Sequence, residues 1–541
     1  MKFLRPLFLL LAVSLPALAH VGSPGVIVQK QAGPYQLLVQ VMPPDVVPGT
    51  ARVTVFVEKG RLASVLARPV YFRSGDEGAP THDELLPVKG QPNQFEGFVW
   101  LMDSGSSSVQ LQLDGPDGKQ ELVVPVVSVA TAQRTMPAGT GAALAVLGLL
   151  LVILMVTIIG SSVSEGLLAP GQAKPASLKR KRLVGMGLAA VVLVLALTGG
   201  RTWWNSWANE YKTDNLFRST PIQTSVQNGE LTLRFDTTNL HANRRSRIHR
   251  ASYLVPDHGK LMHLFLVRTP GLDAFAHLHP ERRDTLSFGS RLPNLPAGKY
   301  LVYADIVYNS GFAETMTDTL EVPAVSASAP TLTDSDDSFL VTNALGQTSA
   351  PKLDATIALC GKPGEPVKLQ DGSTMVWEEK PGSELEAGKL YAMRFAVNDP
   401  QGKPATLDPY LGMAGHMVLV RSDGGVYIHL HPVGTYSMAA ETSLNTRIRD
   451  TTRSYHDPNP KRFRDSIDMY LAKLKALPEA ERNRLMMPGM NHAAGLAHAG
   501  HAVEFPYAFP QAGTYRVWVQ VKRAGQVLTG VFDVTVKEAM L

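Results

Sequence analysis

Over much of this chain apolar and polar residues alternate with a period of two. The runs are short: Val26-Ile27-Val28, Tyr35–Met42, Ala51–Val57 and Gln110–Leu113, punctuated by Pro43-Pro44, Pro48-Gly49 and Asp114-Gly115. Strand side chains two apart share a face, so such runs between turn residues predict half-buried strands and an immunoglobulin-like β-sandwich over residues 20–132. The alternation then stops. Residues 138–160 carry no charge and residues 183–200 are equally apolar, which predicts two transmembrane helices. Short strands resume in a first β-domain at 215–325 and a second at 339–541, divided by a Ser/Ala/Pro-rich acidic linker at 322–338. A turn-into-strand pattern recurs at Leu295-Pro296-Ala297-Gly298-Lys299-Tyr300 and Phe509-Pro510-Gln511-Ala512-Gly513-Thr514-Tyr515, so the two domains read as one fold used twice. The second copy carries an insertion at 434–504, in which Lys461–Leu477 is amphipathic and predicted helical. The expected class is mainly β, with two membrane helices and a short helical insertion.

Charge and composition add an orientation. Residues 1–19 read as a secretory signal peptide: Lys2 and Arg5, an apolar run Leu7–Leu15, then Ala17-Leu18-Ala19. Lys174 and the run Lys179-Arg180-Lys181-Arg182 mark the segment 161–182 as a basic cytoplasmic loop, and Trp203, Trp204 and Trp207 sit where an outer aromatic belt belongs. The expectation is a bacterial cell-membrane protein with two spans and its large domains on the periplasmic or extracellular side. The single cysteine, Cys360, excludes an internal disulfide framework and cysteine-built metal sites. A net charge of +5 on 541 residues gives no argument for nucleic acid.

The candidate chemistry lies in a duplicated histidine pattern. One copy runs Met262-His263-Leu264-Phe265-Leu266-Val267-Arg268 and then His277-Leu278-His279-Pro280. The other runs Gly415-His416-Met417-Val418-Leu419-Val420-Arg421 and then His429-Leu430-His431-Pro432. In each His-x-His both rings share a strand face. An Asp423-Gly424 hairpin turn sets His416 opposite His431, and a turn centred on Gly271 sets His263 opposite His279. Opposed Cβ atoms are about 4.5–5.5 Å apart, a separation that suits two ligands of one ion with metal–nitrogen bonds of about 2.0–2.1 Å. Two three-histidine sites follow: His263, His277 and His279, and His416, His429 and His431. The competing reading makes these histidines hydrogen-bonded structural groups of the sandwich interior.

Methionines favour copper among the metals. Met262, Met413 and Met417 lie beside the hairpins, and Met486, Met487 and Met490 precede His492, His498 and His501 in a Gly/Ala-rich stretch that reads as a copper-collecting loop. Thioether with imidazole suits Cu(I); imidazole alone also suits Cu(II) or zinc. Cleavage after Ala19 leaves His20 as a terminal residue able to offer amine and ring to one ion, with His82 beside Asp83 as a second donor.

This arrangement resembles the copper site of CopC-like periplasmic β-sandwich proteins that begin with histidine, which implies His20 as a ligand and His82 and Asp83 as weaker candidates. Residues 220–541 resemble envelope domains of the MHL…HxHP kind found in copper- and heavy-metal-resistance contexts, on Asp257-His258-Gly259-Lys260-Leu261-Met262-His263-Leu264 with His277–Pro280, and on Tyr410–His416 with His429–Pro432. The implied function is copper binding for resistance, sequestration or delivery, with a copper transporter, chaperone or oxidase as partner. Two alternatives stay open: a structural envelope protein, and a copper oxidase or monooxygenase built on His20 and His82. Enzyme activity otherwise has little sequence support, since no phosphate loop, nucleophile elbow or zinc-protease helix is present.

Overall fold

A computed structural model describes residues 20–21, 25–166, 168–237, 247–324, 332, 334–347, 358–450, 455–486 and 500–539. The signal peptide expected at 1–19 and the candidates Met487, Met490, His492 and His498 lie outside the described residues. The chain divides into two compact units, one holding the membrane-type helices and the other all the β-domains.

The smaller unit is a helical hairpin. Helix α1 (Ala138–Glu165) and helix α2 (Ala176–Glu210) are both long and apolar enough to cross a membrane. Small residues let the helices approach: a side chain on Gly160 would strike Met186, and one on Gly185 would press on Val163. Helix α2 starts earlier than expected. Lys179–Arg182 therefore lie in its first turns and not in a loop reaching residue 182, because these residues are strong helix formers preceded by Pro175.

In the β unit, residues 26–128 form an eight-stranded antiparallel sheet folded on itself around an apolar core. Tyr35, Leu37, Val39 and Val41 fill that core from alternate positions of one strand, as the sequence pattern requires. The next two β-domains are sandwiches of two sheets each. In the first, strands Leu254–Val255, Gly298–Tyr308, His263–Arg268, Ala274–Leu278 and Ser338–Val341 lie side by side, over a sheet of Ile222–Gln227, Glu230–Phe235, Ser287–Arg291 and Glu281–Arg282. In the second, Val426–Leu430, His416–Arg421, Gly513–Arg523 and Gln526–Lys537 form one sheet, and Pro366–Lys368, Thr374–Trp377, Leu390–Asn398 and Ala502–Ala508 the other. The duplication is thus one of topology: in both, the strand that begins with histidine pairs with the His-x-His strand on one side and the late Gly-x-Tyr strand on the other.

One boundary moves. Ser338–Val341, expected to open the second domain, pairs with Ala274–Leu278 and completes the first domain's sheet. The acidic stretch before it resembled linker by composition, yet Asp336 and Asp337 are buried against Lys522 and His279.

The two sandwiches pack through their histidine-bearing sheets. Between them lies a core drawn from both, including Phe265, Val267, Phe275, Val418, Val420, Tyr427 and Trp518. Phe275 stacks on Trp518 at 4.9 Å and Tyr303 on Tyr427 at 4.0 Å. Arg516, fully buried, spans the same interface: its guanidinium pairs with Asp533 and donates to the carbonyl oxygens of Leu272 and Asn343. The insertion joins the unit together further. It contains α3 (Met438–Arg449), α4 (Pro460–Ala476, the helix expected) and α5 (Glu479–Met486). Arg447 of α3 donates to Phe72 O at 3.0 Å in the N-terminal sandwich, and Gly434 sits so close to the Ile27 carbonyl that no side chain would fit.

Candidate metal centre

Strand alternation builds the site. On the inner faces of the facing sheets, His263, Phe265 and Val267 share one side, as do Phe275, His277 and His279; His416, Val418 and Val420; and Tyr427, His429 and His431. Apolar members fill the interdomain core and the histidines cluster at one end of it. The hairpin registers are those the sequence implies: Leu264 opposite Leu278 and Met417 opposite Leu430, which put His263 level with His279 and His416 with His431.

The first triad forms a close set as expected, whereas in the second His258 stands in place of His429. The two triads face each other across the domain interface in one buried chamber. Within the first hairpin the ring centroids of His263, His277 and His279 are 4.5–5.5 Å apart. The corresponding rings His416, His429 and His431 are 4.6–5.3 Å apart. Across the interface His263 and His429 approach to 5.2 Å. A seventh ring, His258, stands 4.8 Å from His431 and 5.6 Å from His416. Phe265 stacks on His277 at 4.3 Å and forms a wall of the chamber.

His258 was not among the expected ligands. It lies in a tight turn closed by reciprocal backbone bonds between Asp257 and Lys260, at φ +50 with Gly259 at +77. That backbone is uncommon for residues other than Gly, with Asn, Asp and His among those that adopt it more readily. The second repeat has the same turn, Tyr410-Leu411-Gly412-Met413, with Leu411 at φ +51 and Gly412 at +81. Leu411 stands five residues before His416, as His258 does before His263. A reading built on what both copies share passes over a histidine that only one of them carries.

The hydrogen bonds fix the rings. His279 Nδ1 donates to Asp337 Oδ1 at 2.8 Å, and His431 Nδ1 to Tyr436 O at 3.0 Å. His277 Nδ1 donates to Gln520 Oε1 at 2.8 Å, and His429 Nδ1 faces Asp305 Oδ2 at 3.4 Å. Gln520 and Asp305 hold equivalent places, opposite His416 and His263 on the late strands, so each repeat orients the other's first His-x-His ring. Outward-held Nδ1 atoms leave Nε2 atoms facing inward, and those of His279, His416, His429 and His431 have no hydrogen-bond partner; nor has either nitrogen of His258 or Nδ1 of His416. His263 Nδ1 and His277 Nε2 lie 3.2 Å apart, within hydrogen-bond distance, and His263 Nε2 lies 3.3 Å from Asp257 O.

Two sets of nitrogens each fall within 4.8 Å of one another: His263 with His277 and His279, and His258 with His416 and His431. His429 takes no part in either set. Burial holds the imidazoles of His263, His277, His416 and His429 well below the usual histidine range and His431 down to about 4, keeping them neutral and able to coordinate. His279 and Asp337 also form a close set with Asp334, where Lys260 holds the Asp334 carboxyl low against the opposing effect of burial.

The other candidates lie elsewhere. Met417 belongs to the core behind the hairpin, on the face opposite the histidines, and Met262 is likewise one residue out of phase with His263. Met486, at the end of α5, packs on Gly259 beside His258. His501 precedes the strand Ala502–Ala508, and its carbonyl accepts from Val397 N–H. The backbone of His20 pairs with Val426 at the edge of the second domain's sheet, whereas His82 leads into a strand of the N-terminal sandwich. The sequence expectation of a site shared by His20 and His82 thus places its two donors in different sheets. Among the described residues neither His82 nor His501 belongs to a close three-ligand set.

A protein-family model described as a domain of unknown function, DUF8832, matches residues 368–455 and 484–538, the second repeat with part of its insertion. No curated protein matches the chain. Among solved structures the chain is similar to a tetra-tandem repeat from the extending region of a large adhesion protein (7% identity, 94% of this chain and 82% of that one, TM-score 0.14). It is also similar to the chicken CNTN1 FN1-FN3 domains (6% identity, 95% and 100%, TM-score 0.12) and the ICAM-5 D1-D4 ectodomain fragment (9% identity, 94% and 78%, TM-score 0.15). At such TM-scores these likenesses carry no argument, and the class of protein rests on the sheets and helices themselves: mainly β, sandwich-like, with two helices able to span a membrane.

Proposed function

We propose that this is a membrane-anchored bacterial envelope protein that binds copper on the outer face in the chamber between its two repeats, for resistance, sequestration or delivery to a copper transporter, chaperone or oxidase. One observation carries the reading: the buried imidazoles of His279, His429 and His431 have Nδ1 held by the protein and Nε2 without a partner, beside His416, whose nitrogens both lack one. Leaving such groups unsatisfied costs about 1–3 kcal/mol each, and outer-shell acceptors on Nδ1 are what metal-ligating histidines use to fix ring and tautomer. A purely structural role for these histidines does not account for the unpartnered inner nitrogens.

The all-imidazole donor set suits copper or zinc and excludes magnesium or calcium, which require oxygen ligands. With Met262 and Met417 out of phase with the histidines, the preference for copper rests on its higher intrinsic affinity for nitrogen sites. The basic start of α2 supports an inside location for the inter-helix turn and an outside one for the β unit.

The test is titration of the full-length protein in detergent with Cu(I), Cu(II) and Zn(II), beside a variant with the six hairpin histidines changed to glutamine. Tight copper binding lost in a variant that keeps its circular dichroism spectrum is the expected result. Equal binding by both proteins would remove the chamber as the site, and none by either would favour the structural reading.

A further inference from the structure

The chamber holds more donors than one ion can use. A single ion bound by His263, His277 and His279 would draw on the His263–His277 nitrogen pair and on His279 Nε2. It would leave both ring nitrogens of His416 and of His258, and Nε2 of His431, without a hydrogen bond, His258 Nε2 lying 3.7 Å from Asp257 Oδ1. Those three form the second close set. The first set comes from one repeat and the second from both, and their rings are near neighbours: His263 lies 6.4 Å and His277 6.3 Å from His416. His429 stands between them, 5.2 Å from His263 and 5.3 Å from His416, with its own Nε2 free.

The repeats are not equivalent in how they complete these sets. The first hairpin's own three histidines make one. In the second hairpin His429 is turned toward the interface, and the third nitrogen comes from His258, lent across by the first repeat's turn. The matching turn of the second repeat carries Leu411 and lends no donor. Fully buried His258 forms no hydrogen bond at either nitrogen and has Nε2 3.7 Å from Asp257 Oδ1, an unusual situation for a buried polar group.

We infer that the chamber is a two-metal centre, with one ion held by His263, His277 and His279, a second by His258, His416 and His431, and His429 positioned between them. This rests on the reading of the chamber as a metal site, and it adds the number of ions and the role of His258.

The decisive variant is His258→Leu, which installs the residue that the second repeat already accommodates at this position. Full-length protein in detergent is loaded with copper, freed of loosely bound ions, and its copper counted per chain; the oxidised sample is then examined by electron paramagnetic resonance. Two copper ions per wild-type chain with a broadened or silent coupled signal, falling to one ion with an isolated mononuclear signal in His258→Leu, is the expected result. His258→Gln serves as a second variant should the leucine protein fail to fold, with the same twofold loss expected. One ion per wild-type chain, unchanged in either variant, would overturn the two-metal centre while leaving copper binding intact. No retained copper in the wild type would overturn both readings.

Discussion

At the scale of single residues, six of the clustered imidazoles share a lowered proton affinity. Burial lowers the proton affinity of His258, His263, His277, His416, His429 and His431 relative to an exposed imidazole. Below about pH 6.5 the unfolded chain therefore takes up protons that the folded, metal-free chain refuses. Folding stability is then fully present above that pH and is lost as the pH falls toward the folded values, about 4 for His431. Asp305 works the other way: burial raises its carboxyl to about 6, so it favours the folded state as acid is added. Six imidazoles outweigh one carboxyl. Thermal melts of the metal-free protein should show a falling midpoint from pH 7 to pH 5, and a midpoint that held or rose would mean the rings are more solvated than the structure has them.

At the scale of elements, the interface between repeats sets the chamber's shape, and Arg516 is its strongest single tie. It donates to backbone carbonyls of the first repeat from a strand of the second while pairing with Asp533. Arg516→Ala should cost about 3 kcal/mol, because it strips partners from buried carbonyls and from the Asp533 carboxylate at once. Chemical denaturation checks this; a change under about 1 kcal/mol would show that the repeats are held by apolar packing alone. Elements were the level most legible in the sequence. Alternation and the Asp423-Gly424 turn are local signals, so the strands, the hairpin registers and α4 could be read directly. What pairs with what across long separations was not legible. Nothing local says that Ser338–Val341 joins Ala274–Leu278, or that two hairpins more than a hundred residues apart face each other. The six hairpin histidines were found because they repeat, and their merging into one chamber was missed for want of a tertiary signal. His258 was missed because the repeat lacks it.

For the whole molecule, the two apolar helices are long enough to anchor the chain as a hairpin, and the proposed orientation puts the short connection between them on the cytoplasmic side. A cysteine placed at the exposed Gln172 should react with an impermeant maleimide only after cells are permeabilised. The native Cys360 supplies little background, since burial pushes its thiol up to about 11. Labelling of intact cells would reverse the orientation and put the chamber on the other face. The proposed copper delivery would require the buried histidines to exchange an ion, and the His258 turn, where Met486 at the end of α5 packs on Gly259, is where the insertion meets them.

The most direct test of the account is X-ray absorption at the copper edge on the loaded full-length protein. The first shell should be nitrogen alone at about 2.0 Å, with the outer-shell scattering of imidazole rings and no sulfur. A sulfur shell would move the metal to methionines outside the chamber, and a shell without imidazole scattering would contradict the histidine chamber as the metal's seat.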